Sequence, residues 1–311
     1  MLVTLKRILT QADKGRYAVG AFNVNNLEAV RAVIDTASAL KSPVIIQTSE
    51  GALEYAGIEY LVAMIRVAAK AKVPVAMHLD HGKDMKTIKA AVTAGYTSVM
   101  HDGSLLPYAE NVKRTQQVVA WAKKTGASVE AEIGAIKGVE DLVSVEEKQA
   151  FFTDPAQAAD FAKRTKCDAL AISIGTAHGA HKSKGIPQLD LARLSAIDKV
   201  VSVPLVLHGA SGISQEFVER TKQFCDRFED CARLDGAVGI PDDQVKKAIA
   251  RGIRKINIDS DLRIAFTAGV RETMINDHTD IDPRKLLALS TRLMAEVVAH
   301  KMQLFGSKGK A

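Results

Sequence analysis

The chain has 311 residues, 47% apolar and 25% charged, so it can bury a large core as one globular domain. Its net charge of +6 comes from 42 basic against 36 acidic residues scattered along the chain. That mild excess suits a phosphorylated metabolite and argues against nucleic acid, which calls for a basic stripe or a known binding module.

The first residues, MLVTLKRILTQADKG, carry short apolar stretches broken by Lys6, Arg7 and Gln11. Neither a signal-peptide core nor a membrane span of roughly 20 residues is expected, and the protein is expected in the cytoplasm. Short apolar, β-branched runs then recur. Strands are predicted at Tyr17–Phe22, Pro43–Thr48, Pro74–Leu79, Thr97–His101, Ala127–Ile133, Asp168–Ile174, Val203–Leu207 and Arg254–Ile258. Between them Leu27–Leu40, Tyr60–Lys70 and Met85–Ala94 repeat apolar residues at steps of three and four, the pattern of amphipathic helices.

Alternating strands and helices imply a parallel sheet, and eight strands are the number a closed (β/α)8 TIM barrel needs. The expected fold class is therefore α/β, one barrel domain over 1–311. An open, doubly wound sheet competes, but no Gly-x-Gly-x-x-Gly follows the first strand. Two connections exceed simple loops, about 134–153 and 209–252; the second contains a helical stretch, Gln215–Leu234, and a Gly239-Ile240-Pro241 turn. Connections of that length are usually functional or hold extra helices. Cys167, Cys225 and Cys231 are an odd number in a chain too large to need disulfides and read as reduced thiols. The terminal Ser307–Ala311 reads as frayed.

Polar residues stand at the C-terminal end of every predicted strand: Asn23 and Asn25, Ser49, Asp80 and His81, Asp102, Glu132, His178, His208, and finally Asn257 and Asp259. Any one of them could be a turn or cap residue. In a barrel, however, all these ends converge on the face that carries active sites. His81, His178 and His208 follow strands three, six and seven, and three imidazoles with an open fourth position are a catalytic zinc arrangement. His78, His101, His181, His278 and His300 have no matching partners and are expected to pack or hydrogen-bond individually. Small residues after His178 and His208, namely Gly179 leading to Lys182 and Gly209-Ala210-Ser211-Gly212, would let a phosphate reach backbone N–H groups. Asn257-Ile258-Asp259-Ser260-Asp261 could cap a helix facing the same anion.

Nine segments in order carry a resemblance over essentially the whole chain: Gly20–Asn25, Ser49–Ala52, His78-Leu-Asp-His-Gly82, Val99–Ser104, Glu130-Ala-Glu-Ile-Gly134, Gly138–Asp141, Gly175–Gly179, Leu207–Ser211 and Lys255–Asp259. Together they resemble the class II fructose-bisphosphate aldolases. The resemblance implies reversible cleavage of fructose 1,6-bisphosphate, in glycolysis and gluconeogenesis, to dihydroxyacetone phosphate and glyceraldehyde 3-phosphate. It implies zinc on His81, His178 and His208, with Glu132 and Asp102 supporting the site or an alternate metal position. Asp80 would move the proton of the C4 hydroxyl, and Glu140 the proton on the carbon next to the ketone. Gly179, Lys182, Gly209, Ser211 and Ser260 would cradle the phosphate of the dihydroxyacetone half, with a monovalent cation, Na+ or K+, while Asn257 and Asp259 contact the oxygens of that half. Arg263 would reach a neighbouring subunit's second phosphate in a homodimer or homotetramer, and Asp282 and Arg284 would contact the aldehyde half. His101 and His181 depart from the family's pattern, where an aliphatic and an aromatic residue are common.

The nearest alternative is a tagatose-1,6-bisphosphate aldolase, which differs in the configuration of one carbinol. A barrel metallohydrolase would need His-x-His near the first strand, where Phe22-Asn23-Val24-Asn25 stands. A non-catalytic sugar-phosphate scaffold would leave a full set of acid, base and metal groups idle.

Overall fold

Alternation with a period of two sorts the strand residues onto two faces, and the computed structural model shows where each face goes. It describes residues 1–134, 137–140, 143–145, 152–178, 188–212, 215–222, 239–277 and 279–311, with the backbone alone described at 137–140, 143–145 and 177–178. The strands are β1 (Val19–Asn23), β2 (Val44–Thr48), β3 (Val75–Leu79), β4 (Ser98–His101), β5 (Ser128–Ile133), β6 (Lys137–Glu140), β7 (Val143–Val145), β8 (Ala169–Ile172), β9 (Ala177–His178), β10 (Leu205–Leu207) and β11 (Ile253–Ile258). Eight of them close a barrel in the order β1-β11-β10-β8-β5-β4-β3-β2. Every neighbouring pair is parallel, and Ala21 facing Asn257 lies on the seam that joins the first strand to the last.

On β3, Val75, Met77 and Leu79 point outward into the layer between barrel and helices, whereas Ala76 and His78 point inward. On β5 the outward set is Val129, Ala131 and Ile133, leaving Ser128, Glu130 and Glu132 inside. On β11, Ile256 and Ile258 face the helices while Lys255 and Asn257 lie inside. The outward layer is the main apolar core, completed by helices such as Leu27–Ala39, Met85–Ala94 and Tyr108–Thr125. Each Val, Leu or Ile buried there is worth roughly 1.5–3 kcal/mol.

The inward face splits by height. Its lower half is apolar, with Val19, Ala21, Ile45, Ala76, Met100, Ala169, Ala171 and Val206 packed against Leu5, Ile8, Leu9 and Ala12 of the helix Leu5–Gly15. Those four residues follow steps of three and four, so this helix is an amphipathic plug for the barrel floor. Thr4 caps it by accepting from the Arg7 N–H, and Arg254 of β11 reaches Asp13 near its other end at 2.8 Å.

Elements beyond the barrel adjust the sequence expectations. The first long connection supplies β6 and β7, an antiparallel pair, and β6 also pairs in parallel with β9, Gly138 facing His178. His178 therefore does not end a barrel strand: β8 stops at Ile172, and His178 sits in a separate small sheet. In the second connection, helices Gln215–Lys222 and Asp242–Ile249 are described; Cys225, Cys231 and the remainder of the expected Gln215–Leu234 stretch lie outside the described residues. The C-terminal residues are not frayed. Ser307 Oγ meets Ser42 Oγ at 2.8 Å, and the N–H groups of Gly309 and Ala311 donate to the carbonyls of Leu40 and Lys41, each at 2.9 Å, so the tail is tied to the loop before β2. No helix among the described residues is long and apolar enough to cross a membrane.

Candidate active site

The upper half of the barrel interior is polar because the same inward positions, two residues further along each strand, carry Asp, Glu, His and Asn. Asp80, His81, Asp102, Glu132 and His208 meet there, all buried. His81 Nδ1 lies 3.0 Å from Asp102 Oδ2 and 3.8 Å from Glu132 Oε2. His208 Nδ1 lies 3.6 Å from the same Glu132 oxygen, and the two imidazoles stand edge to face with centroids 4.6 Å apart. Asp80, His81 and His208 offer ligand atoms within 4.8 Å of one another, and so do His81, Asp102 and Glu132.

Local backbone shape contributes to this convergence. His81 has a left-handed φ of 45°, uncommon for a residue with a side chain, which turns its imidazole into the barrel mouth directly after Asp80. A Cβ on the following Gly82 would stand 2.5 Å from the Met100 carbonyl oxygen, so only glycine fits there. Glu50 Oε1 accepts from the N–H groups of Lys83 and Asp84 at 2.9 and 2.8 Å, tying down the loop beyond.

The electrostatics of the cluster favour a cation. Burial opposes charging of His81, but Asp80, Asp102 and Glu132 outweigh it and raise its pKa well above the ordinary imidazole value. Burial also works against ionising Asp102, yet the hydrogen bond and charge of His81 hold its carboxyl well below the usual range. Burial and the neighbouring Asp102 charge push Glu132 well upward. Glu132 Oε2 is buried and accepts no hydrogen bond from the described residues, an expensive condition for a carboxylate unless a cation or proton stands beside it. Carboxylates and imidazoles crowded around such an oxygen fit a divalent metal, which would take the place of the retained protons.

Asp80 is held by three amides: Asn23 Nδ2 and Gln47 Nε2 donate to Oδ2, each at 3.1 Å, and Asn257 Nδ2 donates to Oδ1 at 2.8 Å. Asn23 also lines a cleft of about 530 Å³, together with Asn25, Ser49, Tyr55, Asp259 and Arg263 among others. Ser49 caps the helix Glu50–Ala56. Asp259 stands at the N-cap of the helix Ser260–Asn276, but its side chain does not cap it as expected. The carboxylate instead grips Arg263 at 2.8 and 2.9 Å, four residues along the same helix face. Gly209, in the left-handed region at φ 60°, and buried Ser211 lie past β10, and Asp261 Oδ2 accepts from the Gly212 N–H at 3.0 Å.

Not every expected residue joins the cluster. Asp282 and Arg284 pair with each other at the exposed start of the short helix Pro283–Leu286. The side chains of Glu140 and His178 lie outside the described residues, as do Gly179, His181, Lys182 and His278 altogether. The backbone nevertheless sets the Glu140 strand beside that of His178.

Sequence reasoning passed over a lower tier. Glu130 accepts from His208 Nε2 at 2.8 Å and lies 2.9 Å from the Lys255 ammonium, while His78 bonds Ser98 at 2.8 Å and has its other nitrogen 3.5 Å from Glu130. Burial and the Lys255 charge keep the pKa of His78 well below the ordinary imidazole value. The sequence carries the signal: Glu130, His78 and Lys255 each sit two positions before a strand-end polar residue, Glu132, Asp80 and Asn257, and so share its inward face. His101 points the other way, bonding Thr115 at 2.8 Å, and His300 pairs with Asp242 at 3.0 Å on the surface, both individual contacts as expected.

Comparison with known proteins agrees with this geometry. A family model described as fructose-bisphosphate aldolase class-II matches residues 3–310. A fructose-bisphosphate aldolase of Thermus caldophilus is 46% identical and one of Helicobacter pylori 42% identical, each alignment covering 100% of both chains. The crystal structure of the YdjI aldolase from Escherichia coli K12 superposes with a TM-score of 0.81 at 36% identity, again covering 100% of both chains. With its closed parallel barrel and its buried histidine and carboxylate cluster at the barrel mouth, the chain belongs to the class II fructose-bisphosphate aldolase family.

Proposed function

We propose that this protein cleaves and re-forms the C3–C4 bond of fructose 1,6-bisphosphate, giving dihydroxyacetone phosphate and glyceraldehyde 3-phosphate. The observation that carries this reading is the pairing of a cation-seeking cluster with a carboxylate, Asp80, held by three amide donors, one of which, Asn23, lines an open cleft. Zinc, held by His81, His178 and His208 with Asp102 and Glu132 in support, would supply Lewis-acid stabilisation of the charge that develops on the ketone half, worth several kcal/mol.

Asp80 takes the proton from the C4 hydroxyl as the bond breaks and returns it in the aldol direction. Asn23, Gln47 and Asn257 fix the direction in which its lone pairs point. Glu140 exchanges the proton on the carbon adjoining the ketone, approaching from the strand that runs beside His178. Gly179, Lys182, Gly209, Ser211 and Ser260 receive the phosphate of the dihydroxyacetone half, and the start of the helix Ser260–Asn276 adds its positive dipole end. Arg263, half exposed at the cleft, serves the second phosphate of a neighbouring copy in a homo-oligomer. A cytoplasmic location accords with the free thiol of buried Cys167.

A coupled aldolase assay before chelation, after it and after zinc add-back tests the reaction and its metal together. Activity that survives complete chelation overturns the metal assignment. Comparing kcat/KM on fructose and tagatose bisphosphates tests the substrate, and a clear tagatose preference replaces it.

A further inference from the structure

Lys255 is fully buried inside the barrel, beneath the residues described as the site. Its ammonium makes three contacts: Glu130 Oε2 at 2.9 Å, Glu130 Oε1 at 3.1 Å and Asn257 Oδ1 at 2.7 Å. Each partner leads to a different functional group. Glu130 Oε1 also takes the His208 Nε2 hydrogen bond at 2.8 Å, which leaves Nδ1 as the ring nitrogen facing Glu132. Asn257, its carbonyl oxygen held by Lys255, is thereby turned to donate its amide to Asp80 Oδ1 at 2.8 Å.

A buried ion pair is a poor source of stability. Desolvating both charges offsets most of their attraction, and well-packed apolar residues of similar volume often do as well or better. The barrel floor just below is filled with Ala, Val, Ile and Met, so an apolar solution for this layer was within reach of the same fold. What an apolar residue cannot do is fix the carboxylate that sets the ring orientation of His208 and, at the same time, the flip state of the Asn257 amide.

We propose that Lys255 is a positioning residue that aligns the metal ligand His208, through Glu130, with the proton-transferring Asp80, through Asn257. The inference rests on the proposed roles of His208 and Asp80. One ammonium ties the two halves of the chemistry together, so the open metal position and the base keep a fixed mutual geometry. Lys255 touches neither substrate nor metal.

The test uses the zinc-loaded full chain and two variants, Lys255→Met and the double variant Lys255→Met with Glu130→Gln. Three quantities are read: zinc affinity by chelator competition, kcat and KM for bisphosphate cleavage, and proton exchange of dihydroxyacetone phosphate with solvent. In Lys255→Met, zinc affinity should fall about 10- to 100-fold, the usual effect of losing a partner that orients a ligand. With zinc saturating, cleavage kcat should still fall, by about 100-fold or more, because Asp80 has lost its aligned amide, while KM and proton exchange change far less.

The double variant removes both buried charges and leaves His208 an amide oxygen to donate to, so it also carries the test if the single variant fails to fold. It should recover much of the zinc affinity and none of the cleavage rate. If Lys255 only balances the Glu130 charge, cleavage returns together with zinc affinity, and the inference is overturned. Unchanged zinc affinity and kcat in the single variant overturn it as well. Wild-type enzyme that ignores chelation would refute the metal reading itself, an outcome visible before any variant is compared.

Discussion

His101 offers a stability test with a definite sign. It is buried on β4, and its Nδ1 donates to Thr115 Oγ1 at 2.8 Å, because that hydroxyl is itself committed to Asn111 Oδ1 at 3.1 Å. Nε2 is buried with no hydrogen-bond partner among the described residues, and burial pushes the pKa of the ring down to about 4. In the unfolded chain the same ring takes up a proton near pH 6.5. Between those values the unfolded state binds more protons than the folded one, so this group's contribution is fully present above about pH 6.5 and is lost as the pH falls toward 4. From about pH 7.5 to about pH 5 the loss is about 2 kcal/mol.

Replacing His101 by Leu keeps an apolar volume in the site and leaves Thr115 its bond to Asn111. At about pH 7.5 the substitution should change stability by no more than about 1 kcal/mol, the worth of one hydrogen bond. At about pH 5 the variant should be more stable than its parent by about 1–2 kcal/mol, the loss removed less the hydrogen bond given up. Urea unfolding of both proteins at the two pH values, with chelator present throughout, isolates the difference from the metal. Parallel loss of stability in parent and variant would refute the reasoning. Because Asn111 also donates to the Glu132 carbonyl at 3.0 Å, charging His101 strains the wall directly behind the site.

Three further expectations concern the chemistry. Asp80→Ala should lose cleavage while proton exchange at dihydroxyacetone phosphate largely survives, and Glu140→Ala should still bind metal and dihydroxyacetone phosphate but lose that exchange, each loss being about 10²–10⁴-fold; undiminished exchange in Glu140→Ala would send the search for the second base to Glu132 or Asp102. Zinc must displace protons that the raised pKa values of His81 and Glu132 keep in the metal-free site, so its apparent affinity should rise with pH through the neutral range, and a flat competition titration would contradict that. Arg263→Ala should raise KM for the bisphosphate more than it weakens dihydroxyacetone-phosphate binding, and a fully active monomer would remove the role across subunits.

Periodicity is a local property, and whatever follows from it was legible in the sequence. Runs such as Val44–Thr48 and Val75–Leu79, each followed by a stretch with apolar steps of three and four, are enough to specify parallel strands under a ring of helices. The strand ends then mark where Asp80, Asp102, Glu132 and His208 must converge, since every parallel strand finishes on the same face. Alternation also separates Glu130 and Lys255 from their outward neighbours, but it says nothing about which inward residues touch.

That depends on barrel closure, in which β11 returns beside β1 and brings together residues far apart in the chain. Lys255 meets Glu130 across 125 residues, and Asn257 meets Asp80 across 177. The same closure leaves an open floor, which is why a helix at the chain's start becomes a plug, and it places the loop after Leu40 where the last residues can bond to it. His178 shows the limit from the other side. Its neighbour Gly138 belongs to a separate small sheet formed between two connections, a pairing that no repeat within either segment encodes. Contact order of this kind is a property of the folded chain, because only the packed barrel holds the two segments within hydrogen-bonding reach.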